Sequence, residues 1–155
     1  MARIVARLNS RWHEARAATG EGGARDGHGA GAALPGFPVF FLRTATSVTG
    51  HGQPLLAPAA SPRFDYEAEL AAVIGRRGRN IPAAAALDHV AGYTLFNDGS
   101  IRDFQLERGP QWTMGKNFDR TGALGPVLVT PDELPPGGRG LAIRARVNGR
   151  LLQDG

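Results

Sequence analysis

Apolar and polar positions along the chain fall into short runs rather than long helical stripes. Ile4 to Leu8 predicts a brief strand, and Val39-Phe40-Phe41-Leu42 predicts another. Phe64 to Ile74 is the clearest strand, ended by Gly75. Residues two apart in a strand share a side, so Glu67 and Glu69 project together while Ala68 and Leu70 face the other way. Asn80 is placed to cap a helix, with Pro82 in its first turn and helix-forming residues from Ala83 to Val90. Tyr93 to Asp98 and Gly125 to Thr130 read as further strands. A turn-rich linker from Pro131 then leads into Leu141 to Val147. There Leu141, Ile143, Ala145 and Val147 share one face, and Arg144 and Arg146 the other. Asn148-Gly149 signals a hairpin, with a return strand from Arg150 to Gln153. Many strands with one convincing helix predict an α+β or mostly β domain, not a repeating βαβ fold.

The chain divides by character into residues 1–36 and 37–155. Beyond its first strand, the N-terminal part is dominated by Gly and Ala, with Gly20, Gly22, Gly23, Gly27, Gly29 and Gly31 close together. Such a segment buries too little side chain to offset its ordering entropy, which predicts a mobile lid. The remainder is the folded body. Its last strand barely begins before Gly155, so an unfinished sheet is expected.

Composition narrows the function classes. At 155 residues with 42% hydrophobic and 21% charged positions, the chain fits one globular domain. No run approaches the roughly 18 apolar residues of a membrane span, and the N-terminus lacks the apolar stretch and cleavage site of a secretory signal. The absence of cysteine removes disulfides, thiolate nucleophiles and Cys-ligated zinc, and is compatible with a cytoplasmic setting. The net charge of +4 raises nucleic acid as a partner. The only tight basic cluster, Arg76, Arg77 and Arg79, lies in a Gly-containing turn with no interleaved aromatics. A solvated surface is the better account, and neither nucleic acid nor membrane is expected as a partner.

Candidate chemistry centres on acidic residues. Two adjacent carboxylates beside an apolar strand tolerate burial only if protonated or joined by a cation. Asp98, at the end of the next predicted strand, offers a third oxygen. A set without Cys or an obligatory His suits Mg²⁺, Mn²⁺ or Ca²⁺ rather than Zn²⁺. The competing reading is a solvent-facing Glu pair on an ordinary sheet. Arg102 and Lys116 could bind an anionic substrate, or pair with Asp103 and Asp119. Lys116 does not belong to a phosphate-binding loop, because Gly109 is one residue out of register and Asn117 replaces the Ser or Thr.

Asp65-Tyr66-Glu67-Ala68-Glu69-Leu70, Ala91-Gly92-Tyr93-Thr94, Asn97-Asp98, Arg102-Asp103, Gln105, Trp112-Thr113 and Gly115-Lys116-Asn117-Phe118-Asp119 stand in one order. Gly125-Pro126, Thr130-Pro131-Asp132-Glu133-Leu134 and Val147-Asn148-Gly149 continue it. Together they resemble the fumarylacetoacetate hydrolase family over roughly Val39 to Gly155, with a weaker trace from Leu8 to His13. The resemblance implies a mixed β-sandwich roll, here incomplete at its C-terminal side, dimeric when completed, and binding Mg²⁺ or Mn²⁺. It implies hydrolysis of a carbon–carbon bond in an acylpyruvate or related diketo acid, as in aromatic-compound catabolism; relatives decarboxylate or isomerise similar oxo-acids. Glu67, Glu69 and Asp98 match metal ligands. Arg102, Gln105 and Lys116 match residues around the bound oxo-acid, Lys116 also with a catalytic role. His13 matches the base of a His-x-x-Glu pair on a lid.

Two departures qualify the resemblance. Arg16 stands where the pair requires Glu, and Glu14 is wrongly spaced to replace it. A later Gly-Thr-Pro-containing segment of the family has no counterpart. Decarboxylation or isomerisation, which need no such pair, and a non-catalytic remnant or assembly subunit are therefore the alternatives.

Overall fold

The computed structural model describes residues 4–5 and 40–155. The Gly-rich segment and His13 lie outside the described residues. The strands are β1 (Ile4–Val5), β2 (Val48–Gly50), β3 (Phe64–Asp65), β4 (Ala68–Ile74), β5 (Val90–Asn97), β6 (Ser100–Ile101), β7 (Gly122–Leu124), β8 (Arg144–Val147) and β9 (Arg150–Asp154). Two short α-helices, α1 (Arg102–Leu106) and α2 (Thr113–Lys116), lie between β6 and β7.

β5 is the spine. Its β-branched and aromatic residues favour extended backbone, and Gly92, Tyr93 and Thr94 are buried in succession, so both its faces are covered. It pairs antiparallel with β4, Ala68 opposite Asn97 and Val73 opposite Gly92. On its other side it meets β7, which takes β2 in parallel. β3 and β6 form a small antiparallel pair, and β8 pairs with β9 and, in parallel, with β1. The result is a mixed-sheet α+β fold, as the sequence pattern predicts.

A small core cluster of Phe64 and Ile101, packed by Leu55, Tyr66, Phe104 and Phe118, underlies the turn after β5. That turn requires glycine at position 99. A Cβ there would stand 2.0 Å from the Thr121 carbonyl oxygen and 2.7 Å from the Phe64 ring.

Several predicted elements differ. The run from Phe64 to Ile74 is broken at Tyr66-Glu67, because β3 pairs with β6 while β4 pairs with β5. The Ala-rich segment is a 3₁₀ helix, Ala83–His89, and Asn80 adopts φ +53 instead of capping it. No residue of that helix is buried, so no apolar face sustains a longer α-helix. Phe40 to Leu42 form no strand, and Phe40 and Leu42 are exposed. Residues 125–130 contribute only the bridge between Tyr93 and Val129; the strand lies earlier, at β7. Pro126 has no amide proton for a ladder, and Gly125 adopts φ +122. The hairpin forms at the predicted place, with Asn148 and Gly149 both at positive φ and with Ala145 and Val147 buried.

Candidate metal centre

The register of β4 and β5 assembles the acidic cluster. Glu67 directly precedes β4, Glu69 is its second residue, and Asp98 directly follows β5. Opposite pairing of Ala68 and Asn97 puts Asp98 beside Glu67, and the Asp98 amide donates to the Glu67 carbonyl at 2.9 Å. One carboxylate oxygen from each of Glu67, Glu69 and Asp98 falls within 4.8 Å of the others. Against the competing reading of a solvent-facing Glu pair, Glu69 is exposed, Glu67 is half-buried and Asp98 is buried.

Three cations face these acids. Lys116 Nζ donates to Glu67 Oε2 and to Asp98 Oδ2, each at 2.7 Å. Arg102 donates from Nε to Asp65 Oδ2 at 3.0 Å, and from Nη1 to Glu67 Oε1 and to Gln105 Oε1, the last at 2.8 Å. Arg43 donates from Nη1 to Asp98 Oδ1. Arg102 and Lys116 thus do not use Asp103 and Asp119 as their main partners. Asp103 instead accepts from the Ser61 hydroxyl at 2.7 Å.

Short helices deliver two of these cations. Arg102 and Gln105, three apart on α1, lie on one face and are both buried. Lys116 ends α2 at 1% exposure, with its ammonium 4.9 Å from the centre of the Phe41 ring. Gly115 permits the close approach of the two helices, since a Cβ there would lie 2.6 Å from the Gln105 Cβ and backbone nitrogen.

Burial pushes the Glu67 carboxyl up, but Arg102 and Lys116 together outweigh it and hold the group below its ordinary value. Glu69 behaves oppositely. The residue as a whole is exposed, yet burial of its carboxyl, then the charges of Asp98 and Glu67, raise it to about 7. Among the described residues four acids (Asp65, Glu67, Glu69, Asp98) meet three bases (Arg43, Arg102, Lys116), leaving one formal negative charge. An excess of carboxylate, all-oxygen donors and, among the described residues, no histidine in the cluster fit a hard divalent cation, Mg²⁺ or Mn²⁺.

Arg43, Asp65 and Gln153 were not singled out from the sequence as site residues. Arg43 follows an apolar run like any surface arginine would, and Asp65 looks like the polar start of a strand. Gln153 Nε2 donates to the Ala68 carbonyl, and its Oε1 accepts from the Ala68 amide, both at 2.8 Å. No local pattern announces that contact across 85 residues.

Fold and site together define a mixed-sheet protein with a cluster of three carboxylates that could hold a metal ion. The family described as fumarylacetoacetate (FAA) hydrolase C-terminal matches residues 4–155, and the chain belongs to that family. It is 46% identical over 122 residues to the mitochondrial oxaloacetate tautomerase of Xenopus laevis, a match covering 78% of this chain and 38% of that protein. The crystal structure of 5-carboxymethyl-2-hydroxymuconate delta-isomerase from Mycobacterium smegmatis superposes with a TM-score of 0.72 at 38% identity, covering 81% of this chain and 48% of that one. Fumarylpyruvate hydrolase from Pseudomonas aeruginosa, in complex with Mn²⁺ and pyruvate, gives a TM-score of 0.67 at 35% identity, covering 76% of this chain and 53% of that one. The chain therefore spans about half or less of the length of these relatives, which include a tautomerase, an isomerase and a hydrolase. Among the described residues no helix is long and apolar enough to cross a membrane.

Proposed function

We propose that this chain supplies the cation-binding part of an enzyme that moves a proton between carbon and oxygen of a small 2-oxo acid, a keto–enol tautomerisation. The convergence of Glu67, Glu69 and Asp98 within 4.8 Å carries the reading. A Mg²⁺ or Mn²⁺ ion held by these three would polarise the carbonyl of a chelating oxo-acid. Lys116 Nζ keeps positive charge beside the substrate oxygen as it becomes negative. Arg102 and Gln105, joined at 2.8 Å, bind and orient the substrate's acidic end. This role needs no water-activating pair, which agrees with Arg16 standing where that pair requires Glu. Similarity to an oxaloacetate tautomerase supports the same reaction class.

A second reading is hydrolytic cleavage of an acylpyruvate carbon–carbon bond, supported by the likeness to fumarylpyruvate hydrolase. There His13, on a lid within residues 1–36, would take the proton from water at a ring nitrogen. Either reading extends to a cytoplasmic homodimer, with oxo-acid decarboxylation as a further possible outcome of assay.

The test compares the purified protein with Mn²⁺, with Mg²⁺ and with chelator. Expected are a cation-dependent conversion of oxaloacetate between keto and enol forms, followed by ultraviolet absorbance, and a raised melting temperature. Saturation to about 100 times Kd corresponds to about 2.7 kcal/mol. Glu69→Gln should lose both effects. Loss of fumarylpyruvate without oxaloacetate conversion selects hydrolysis, and release of CO₂ selects decarboxylation. Identical melting curves with cation and with chelator reject the metal centre and leave the non-catalytic alternative.

A further inference from the structure

We infer that Arg43 is the positioning residue that aims Asp98 at the cation site, an inference that rests on reading Glu67, Glu69 and Asp98 as the cation ligands. The two candidate ligands that carry ion pairs, Glu67 and Asp98, divide their oxygens in the same way. Glu67 gives Oε1 to the Arg102 guanidinium and Oε2 to Lys116 Nζ at 2.7 Å. Asp98 gives Oδ1 to the Arg43 guanidinium and Oδ2 to Lys116 Nζ at 2.7 Å. In each case a guanidinium pins one oxygen while its twin accepts from Lys116. The terminal torsion of an aspartate has broad, shallow preferences, so its carboxylate plane is set by hydrogen bonds and not by rotamer choice. Arg43 at Oδ1 and Lys116 at Oδ2 set that plane between them.

Arg43 is itself held on several sides. Nη1 also donates to the Gly99 carbonyl at 3.1 Å, and Nη2 donates to the Ser47 carbonyl and to Thr121 Oγ1, each at 3.1 Å. The guanidinium lies 5.4 Å from the centre of the Phe96 ring, and the side chain is 9% exposed. Gly122 leaves the space, because a Cβ there would stand 2.6 Å from Arg43 Nη2. Asn117 fixes the backbone on either side of Arg43: its Nδ2 donates to the Leu42 carbonyl and its Oδ1 accepts from the Thr44 amide, both at 2.7 Å. Asn117 directly follows Lys116, so one short segment places both cations that grip Asp98. With these contacts made, Arg43 acts on the site through Asp98.

Positioning and simple charge make opposite predictions. A nearby positive charge by itself repels a divalent ion, so its removal would leave cation affinity unchanged or improved. If Arg43 orients a ligand, its removal weakens affinity, by roughly 10- to 100-fold as for other groups that orient metal ligands.

The experiment measures Mn²⁺ affinity by titration calorimetry, with circular dichroism to establish folding, on wild type, Arg43→Met, Arg43→Lys and Glu69→Gln. Expected is a weakening of that size in Arg43→Met, partly restored in Arg43→Lys. Wild-type or tighter Mn²⁺ binding by folded Arg43→Met overturns the inference. If Arg43→Met does not fold, Thr121→Val, which removes one anchor of Arg43 without touching the acids, is read instead: weakened binding supports the inference and unchanged binding overturns it. Unchanged Mn²⁺ binding by Glu69→Gln rejects the three-carboxylate site itself. Weakened binding there, with none in Arg43→Met, rejects only the role of Arg43.

Discussion

Lys116 and Asp98 meet at 2.7 Å with each side chain only 1% exposed. A charge pair this deep stands against a large desolvation cost, and it persists because neither partner depends on the other alone. Lys116 also reaches Glu67, and Asp98 also accepts from Arg43. The network therefore joins α2, the start of β4 and the end of β5 in one electrostatic unit.

Lys116→Met tests how much that unit contributes. Removing one member of a buried pair costs about 3–5 kcal/mol when the other charge is left uncompensated. Because Asp98 keeps Arg43, the loss should fall near the lower end, about 3 kcal/mol, in urea denaturation at neutral pH. An unchanged urea midpoint would show that the pair contributes nothing net.

The pH dependence follows from Glu69, raised from 4.5 to about 7. In this window the folded chain holds a proton that the unfolded chain has released. Its stabilising effect is full below about 4.5 and is lost as pH rises to about 7. Glu67, held below its ordinary value, contributes in the opposite sense, present above 4.5 and lost as pH falls further. The stability difference between wild type and Glu69→Gln, from melts at several pH values without divalent cation, should therefore change steadily from pH 4.5 to 7. A constant difference would contradict the shift. Divalent-cation affinity should rise over the same interval, since a ligand carboxyl must lose its proton.

Gln153→Leu probes the link between the hairpin and the acidic strand. The Gln153 side chain satisfies both backbone groups of Ala68, which is buried between Glu67 and Glu69 on the outer strand of its sheet. Its loss leaves a buried amide and carbonyl without their partner, worth about 1–3 kcal/mol. A lowered melting temperature together with weaker cation stabilisation is expected. A melting curve equal to wild type would mean that water or another side chain substitutes at no cost.

Legibility in the sequence followed the range of the interactions involved. The Asn148-Gly149 turn was readable because positive φ at two successive residues is a local preference. The class of the fold was readable because strand alternation is also local, whereas Glu67 joins Glu69 from just outside β4. α1 and α2, with five and four residues, are too short to show a helical period, so the elements carrying Arg102, Gln105 and Lys116 went unseen. The Ala-rich run from Ala83 misled for the converse reason: helix propensity was present without an apolar face to dock.

By itself the sequence determined an α+β chain with an acidic ridge, a terminal hairpin and the family resemblance. Tertiary structure alone decided that Lys116 spans Glu67 and Asp98, and that Arg43 grips Asp98 across 55 residues. The division is physical: turn and strand preferences act between neighbours, whereas a charged site forms only when strand register and buried packing bring distant side chains into the same low-dielectric space.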